Sequence, residues 1–288
     1  MRARIWTGLS LLLCSALALA AGPGAVRKQV ESSMLVTGTV EVDTAGDVRG
    51  FAIDHRDALP AAIVELVGKS VPAWKFEPVL VDGVPANVKT SMGLRIVARQ
   101  LDEQRYNVDI RSASFGEHQR DGADASATDT LTSRSMRPPS YPTAAAQSGV
   151  TGTAYLLLRI GKQGTVEEVV AEQVNLRVIA SEADMNRWRQ LLERSALGAA
   201  RKWTFNPPRS GDDADAAFWS ARVPVDFRLH NQPETKQGQW EAYVPGPRQI
   251  APWLRKDELA TSGADALAAG GLYQVGRGLR LLTPLDAG

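Results

Sequence analysis

The chain has 288 residues, more than one small core organises, and points to about two domains. Its 33 basic and 32 acidic side chains nearly cancel and are interspersed, so it lacks the basic footprint of a nucleic-acid binder. A hydrophobic share of 44% is ordinary for a folded protein, and the single cysteine, Cys14, excludes an intrachain disulfide.

Arg2 and Arg4 precede an apolar run from Ile5 to Leu19, and Ala18-Leu19-Ala20 supplies small residues at both positions a signal peptidase reads. Residues 1–20 therefore read as a signal peptide cleaved after Ala20, which places the mature chain in the periplasm. The alternative is a retained inner-membrane anchor, since the run sits near the lower length limit for spanning a bilayer. Cys14 follows Leu13 rather than a small residue, which argues against lipidation. No later stretch is long and apolar enough to span a membrane.

Residues 27–111 read as the first domain. Val40, Val42 and Val48 flank a polar turn containing Gly46, the signature of a hairpin. Leu59, Ile63, Leu66 and Trp74 then fall near one face of a helix, which closes on Trp74-Lys75-Phe76-Glu77-Pro78. Thr90, Met92, Leu94 and Ile96 alternate as a strand, and Tyr106, Val108 and Ile110 extend the sheet. Residues 112–136 are rich in Ser, Ala, Asp, Thr and Gly and read as a flexible linker.

The pattern returns in residues 137–230. Leu158 to Val166 form a second hairpin signal around Gly164. Met185, Trp188, Leu192, Ala196, Ala199 and Trp203 recur at helical intervals and end in Trp203-Thr204-Phe205-Asn206-Pro207. A long alternating strand follows from Trp219 to Leu229. Gly46 and Gly164 lie 118 positions apart and Trp74 and Trp203 129 apart, so the second copy carries 11 extra residues, placed around Asn175 to Asp184. Two copies are too few for a solenoid and read as two similar domains. Residues 231–288, with Trp240, Tyr243 and Trp253 among prolines and glycines, read as an irregular tail strapped onto the fold.

The second copy resembles the C-terminal domain of the TonB energy-transducer family. The resemblance rests on Pro138-Pro139-Ser140-Tyr141-Pro142, Gly152, Gly164-Thr165-Val166, the Trp203 to Pro207 motif and Val223-Pro224-Val225-Asp226-Phe227. The first copy looks like a degenerate relative that keeps W-x-F-x-P but lacks the Tyr-Pro start and the final V-P-V-x-F strand. The resemblance implies an α+β fold. Two similar small domains are expected, each an antiparallel three-stranded sheet packed against a helix or helices, joined by the linker. It also implies an outer-membrane receptor as partner, docked as an extended segment beside the last strand. An inner-membrane, proton-driven complex would be a further partner only with a retained anchor. The chain departs from a full transducer in its cleavable-looking start and its lack of a long Pro-rich spacer.

The last strand also argues for itself. Trp219, Ala221, Val223, Val225, Phe227 and Leu229 share one face, and Ser220, Arg222, Asp226 and Arg228 the other, which predicts one buried and one solvated face. Pro224 lacks a backbone N–H and marks an edge strand. Such an edge either accepts an incoming peptide or is guarded by its proline and charges. The candidate contact residues are Ser220, Arg222, Val223, Pro224, Val225, Asp226, Phe227, Arg228 and Tyr141. Tyr141, held extended by Pro142, is either a partner contact or a rigid lead-in arm packed on the helix. Trp74 and Trp203 read as core residues that close their helices.

His55, His118 and His230 are scattered without metal-ligand spacing, and neither a nucleophile elbow nor a phosphate loop is present. The sequence therefore reads as a binding protein without cofactor rather than an enzyme.

Overall fold

The computed structural model describes residues 26, 29–81, 83–102, 105–116, 119–120, 129–211, 213–230, 232, 235, 238–254 and 264–285. The signal-peptide reading of residues 1–20 lies outside the described residues.

The first sheet grows from β1 (Glu31–Val42) and β2 (Val48–Ile53), a hairpin in which Gly46 at φ 85 makes the turn. Helix α1 (Ala61–Ser70) buries Ile63 and Val67; Leu59, Ile63 and Trp74 are buried as expected, and only at Leu66, which is half-buried, does its neighbour Val67 take the core position. The chain passes through the small hairpin β3 (Leu80–Val81) and β4 (Val84–Pro85) into β5 (Val88–Gln100) and β6 (Tyr106–Phe115). Met34, Val36, Met92, Leu94 and Ile96 alternate onto the α1 side of the sheet. Trp74 and Phe76 meet Phe115 edge-on, with ring centroids 5.6 and 4.8 Å away.

The second sheet is built on β9 (Gly152–Gly161), β10 (Val166–Leu176) and β12 (Phe218–Phe227). Two short strands introduced on the way are β7 (Gln119–Arg120) and β8 (Thr132–Ser135), and β11 (Thr204–Asn206) carries the W-x-F motif. Helix α2 (Thr143–Gln147) precedes β9. Helix α3 (Glu182–Ala200) starts at Ser181, whose hydroxyl accepts from the Asp184 amide, with Glu182 and Asp184 in the first turn opposing the helix dipole. Met185, Leu192, Ala196 and Ala200 of α3 pack with Trp203, Phe205, Leu156, Leu158 and Ile160.

The two halves share one local device. The Phe76 amide donates to the Gly46 carbonyl at 2.8 Å, and the Phe205 amide donates to the Gly164 carbonyl at 2.8 Å. A Cβ on Gly46 would sit 2.0 Å from the Phe76 oxygen, and one on Gly164 2.1 Å from the Phe205 oxygen, so glycine is required at both turns. The second half is longer between turn and motif, but the length lies in β10, 11 residues against 6 in β2, and in α3, 19 residues against 10 in α1, rather than in an insert around Asn175 to Asp184.

The α+β antiparallel architecture is as expected, but the sheets are wider than three strands. Among the described residues the first has five strands, ordered β13 (Glu241–Tyr243)-β1-β5-β6 with β2 also on β1, and the second has five, ordered β10-β9-β12-β14 (Gly271–Gln274)-β7. The additions are β13 and β14, both from the segment read as an irregular tail. The linker reading also needs correction. Ser112 to Phe115 finish β6, β8 pairs with β11, and Leu131 is buried in the second core. Its sparse apolar content concealed that, among its described residues, a buried leucine and a strand pairing join residues 131–135 to the fold.

From β13 onward the chain alternates between the halves. Glu241–Tyr243 pair with β1, and Val244 exchanges hydrogen bonds with Leu176 of β10 at 2.7 and 3.1 Å. Gly271–Gln274 pair with β12. Leu279 enters the first core, and Leu281 bridges Phe76. The helix-free faces of the two sheets turn toward each other. Ser33, Leu35 and Arg95 of the first, and Thr153, Tyr155 and Asp226 of the second, line one cavity of about 860 Å³.

Candidate functional site

The candidate site is β12 with the groups around it. Val223, Val225 and Phe227 face the α3 core, as their alternation predicts. Ser220, Arg222, Pro224 and Asp226 face the other way, toward the first sheet. That face is enclosed. Arg222 is 4% exposed and Ser220 9% exposed, so the expectation of a solvated face is corrected. Pro224 and Asp226 of that face line the cavity together with Ser33, Leu35 and Arg95 of the first sheet and with Asp265 and Leu267 of the tail.

The charges there are spent on partners within the chain. Arg222 donates to both Glu172 oxygens at 2.7 and 3.0 Å. Asp226 accepts from Arg177 at 2.6 Å and from the Thr153 hydroxyl at 2.9 Å, and also pairs with Arg228. Arg177 and Arg228 in turn reach Glu241 on β13, at 2.8 and 3.1 Å. This four-charge cluster ties β12 to the first sheet's added strand. Burial works against the Arg177 charge, but Asp226 and Glu241 outweigh it and raise its pKa. Burial pushes the Glu241 carboxyl up, but the Arg177 charge and the Thr235 hydroxyl prevail and hold it below the usual range.

Pro224 does not mark a free edge. It pairs with Tyr155 on one side, and its carbonyl accepts from the Gly270 amide at 3.1 Å on the other. A residue's N–H and C=O point to the same side of a strand, so the missing N–H faces the tail, where the ladder with β14 ends. The covering is partial. β14 is in register with β12 only at Ala221↔Gln274 and Arg222↔Tyr273, flanked by Val275 N–H donating to the Ser220 carbonyl at 2.8 Å. Among the described residues, no strand is registered on the outer side of Val225 to Phe227.

Tyr141 packs rather than projects. Its ring meets Phe227 edge-on at 5.6 Å, and its hydroxyl donates to the Val150 carbonyl. Burial raises its pKa. Tyr141, expected either as a partner contact or as an arm packed on the helix, lies against Phe227 of β12, and Glu241, Leu272, Tyr273 and Gln274 were not among the expected residues. The alternation of Leu272 and Gln274 between Gly271 and Gly276 was the available signal, too short to weigh by itself.

Among the described residues, no group of His, Cys, Asp and Glu is placed to hold a metal ion, and no helix is long and apolar enough to cross a membrane.

Comparison with known proteins bears on the same segment. The family described as Gram-negative bacterial TonB protein C-terminal matches residues 137–229. The chain is 35% identical over 108 residues to a protein named TonB from Xanthomonas campestris pv. campestris, a match covering 38% of this chain and 42% of that protein. It is 28% identical over 92 residues to a protein named tonB2 from Pseudomonas aeruginosa, covering 32% of this chain and 29% of that one. The chain thus spans less than half the length of these relatives. No solved structure matches the chain.

Proposed function

With residues 137–229 forming a TonB C-terminal domain, we propose that the chain is a protein-binding module of the cell envelope. It takes an extended segment of another polypeptide, an outer-membrane receptor in the first instance, along the outer side of β12. Catalysis is no part of this role.

One observation carries the reading. An extended segment, the chain's own residues 270–275, already lies along that side of β12 and is held by main-chain hydrogen bonds. Main-chain pairing is the general way a sheet edge recognises an extended peptide, with side-chain pockets adding selectivity. Leu229, half-buried just past the strand, is placed to report on an occupant. A photoreactive amino acid at Leu229 of the full chain, activated in intact envelopes, is expected to give adducts with an outer-membrane receptor. Adducts confined to the chain itself would overturn the reading.

A second reading, an envelope adaptor whose edge stays closed, is favoured by the same covering by β14. Location is part of the proposal. Export with cleavage after Ala20 predicts a periplasmic mature chain beginning at Ala21, found by mass spectrometry of the N-terminus. An intact N-terminus in the membrane fraction would instead point to an anchored transducer coupled to an inner-membrane proton-driven complex.

A further inference from the structure

We propose that residues 270–275 are a built-in occupant of the docking edge, and that the external partner is a segment of similar chemistry that must displace them. The inference rests on the reading of β12 as a docking strand and adds how the edge is guarded and what it selects.

The tail strand is recognised side chain by side chain, as a ligand would be. Leu272 is 3% exposed and belongs to the second core. The Gln274 amide is read at both ends: its oxygen accepts from the Leu131 amide at 3.1 Å, and its nitrogen donates to Asp213 at 3.0 Å. Tyr273 projects to the opposite face, lines the cavity between the sheets, and donates its hydroxyl to the Ala268 carbonyl at 3.0 Å. A Cβ on Gly271 would lie 2.6 Å from the Tyr273 ring, so a glycine two before the aromatic lets the ring keep this place. The edge therefore selects a run of small, aliphatic, aromatic and amide-bearing residues in that order. Alternate side chains enter the α3 core and the inter-sheet cavity.

The hold is weak by the standard of its neighbour. β12 is in register with β9 at ten residue pairs and with β14 at two. Pro224 supplies no donor to extend the second ladder. Val225 to Phe227, unregistered on that side among the described residues, offer a starting point from which an incoming strand can pair and then advance. Gly270 at φ 76 and Gly276 at φ 83 bracket the tail strand with turns that let it join and leave the edge without disturbing its neighbours.

The experiment uses the full chain in three forms: wild type, Tyr273→Pro, and an Ala221→Cys/Gln274→Cys pair in a Cys14→Ser background. The cysteines occupy directly opposed positions, suited to locking the tail down by a disulfide. The probe is a fluorescein-labelled peptide with the sequence of residues 268–277, read by anisotropy, with a peptide from the N-terminal segment of an outer-membrane receptor alongside. Weakening the internal occupant raises the fraction of competent edge and tightens apparent binding by the same factor. The tail peptide is expected to bind Tyr273→Pro at least about tenfold more tightly than wild type. The locked form is expected to bind nothing until reduced. If Tyr273→Pro fails to fold, Gln274→Ala, which removes only the amide contacts, is expected to show the same direction. Equal affinity of the three forms for the tail peptide, or its absence in all, overturns the guarding role. Receptor-peptide binding that the lock leaves unchanged also overturns it, while leaving receptor recognition standing at another surface. Tail-peptide binding to the opened form without receptor-peptide binding supports the guarded edge and removes the receptor as partner.

Discussion

Arg222 and Glu172 meet over β9, from β12 on one side and β10 on the other, through two hydrogen bonds of 2.7 and 3.0 Å on the enclosed face between the sheets. Removing one partner strands a buried charge, whereas removing both does not. Arg222→Ala is expected to lower stability by about 3–5 kcal/mol. The double change Arg222→Met/Glu172→Leu should recover most of that loss. Urea unfolding of the three proteins, compared at their midpoints, measures both effects.

Gly164 sits at φ 75 with the Phe205 carbonyl where a Cβ would go. Gly164→Ala combines left-handed strain with a backbone clash and is expected to cost about 2 kcal/mol or more. The equivalent Gly46→Ala change should cost a similar amount, because Gly46 faces Phe76 in the same way. Thermal melts that show one change to be neutral would break the equivalence of the two turns.

Trp203 is 3% exposed and donates its indole N–H to the Arg137 carbonyl at 2.8 Å. Trp203→Ala opens a cavity in the second core and is expected to destabilise it by about 3–5 kcal/mol. Trp203→Phe, which keeps most of the volume but loses the donor, should fall well short of that. Calorimetric unfolding separates the two.

Glu241 carries the acid sensitivity of the seam between the halves. Its folded pKa lies below the ordinary carboxylate value, so its stabilisation is fully present above that ordinary value and is lost as pH falls through the depressed one. The facing groups are Arg177, Arg228, Thr235 and, through the arginines, Asp226. Hydrogen exchange at residues 241–243 is expected to accelerate on acidification through this window, with Glu241→Gln fast at both pH values. A wild-type rate independent of pH, after correction for intrinsic exchange, would contradict this.

Much of the α+β core was legible in the sequence because it rests on local periodicity. The hairpins around Gly46 and Gly164, the α3 stripe of Met185, Leu192 and Ala196, and the core face of β12 all follow from spacings of two or three to four residues. Environment of the second face was not legible. Ser220, Arg222 and Asp226 alternate as a solvated face does, and only segments distant in the chain, the tail and the first sheet among them, turn that face into an interior. Polar side chains cannot announce that partners from residues 172 and 177 will satisfy them. Pro224 misled for a related reason: proline forbids a donor on one side only, and that side happens to need none.

The order in which the described residues after 238 join the fold, β13 on the first sheet, β14 on the second, then Leu279 and Leu281 on the first again, bears on synthesis. A polypeptide emerges N-terminus first, so the early half waits for two leucines made more than 160 residues after Phe115, where its own strands end. Neither half is finished before the other, and maturation becomes a single late event rather than two successive ones. Premature stops and C-terminal nicks would then expose both interiors at once, which makes this stretch a natural checkpoint for quality-control proteases.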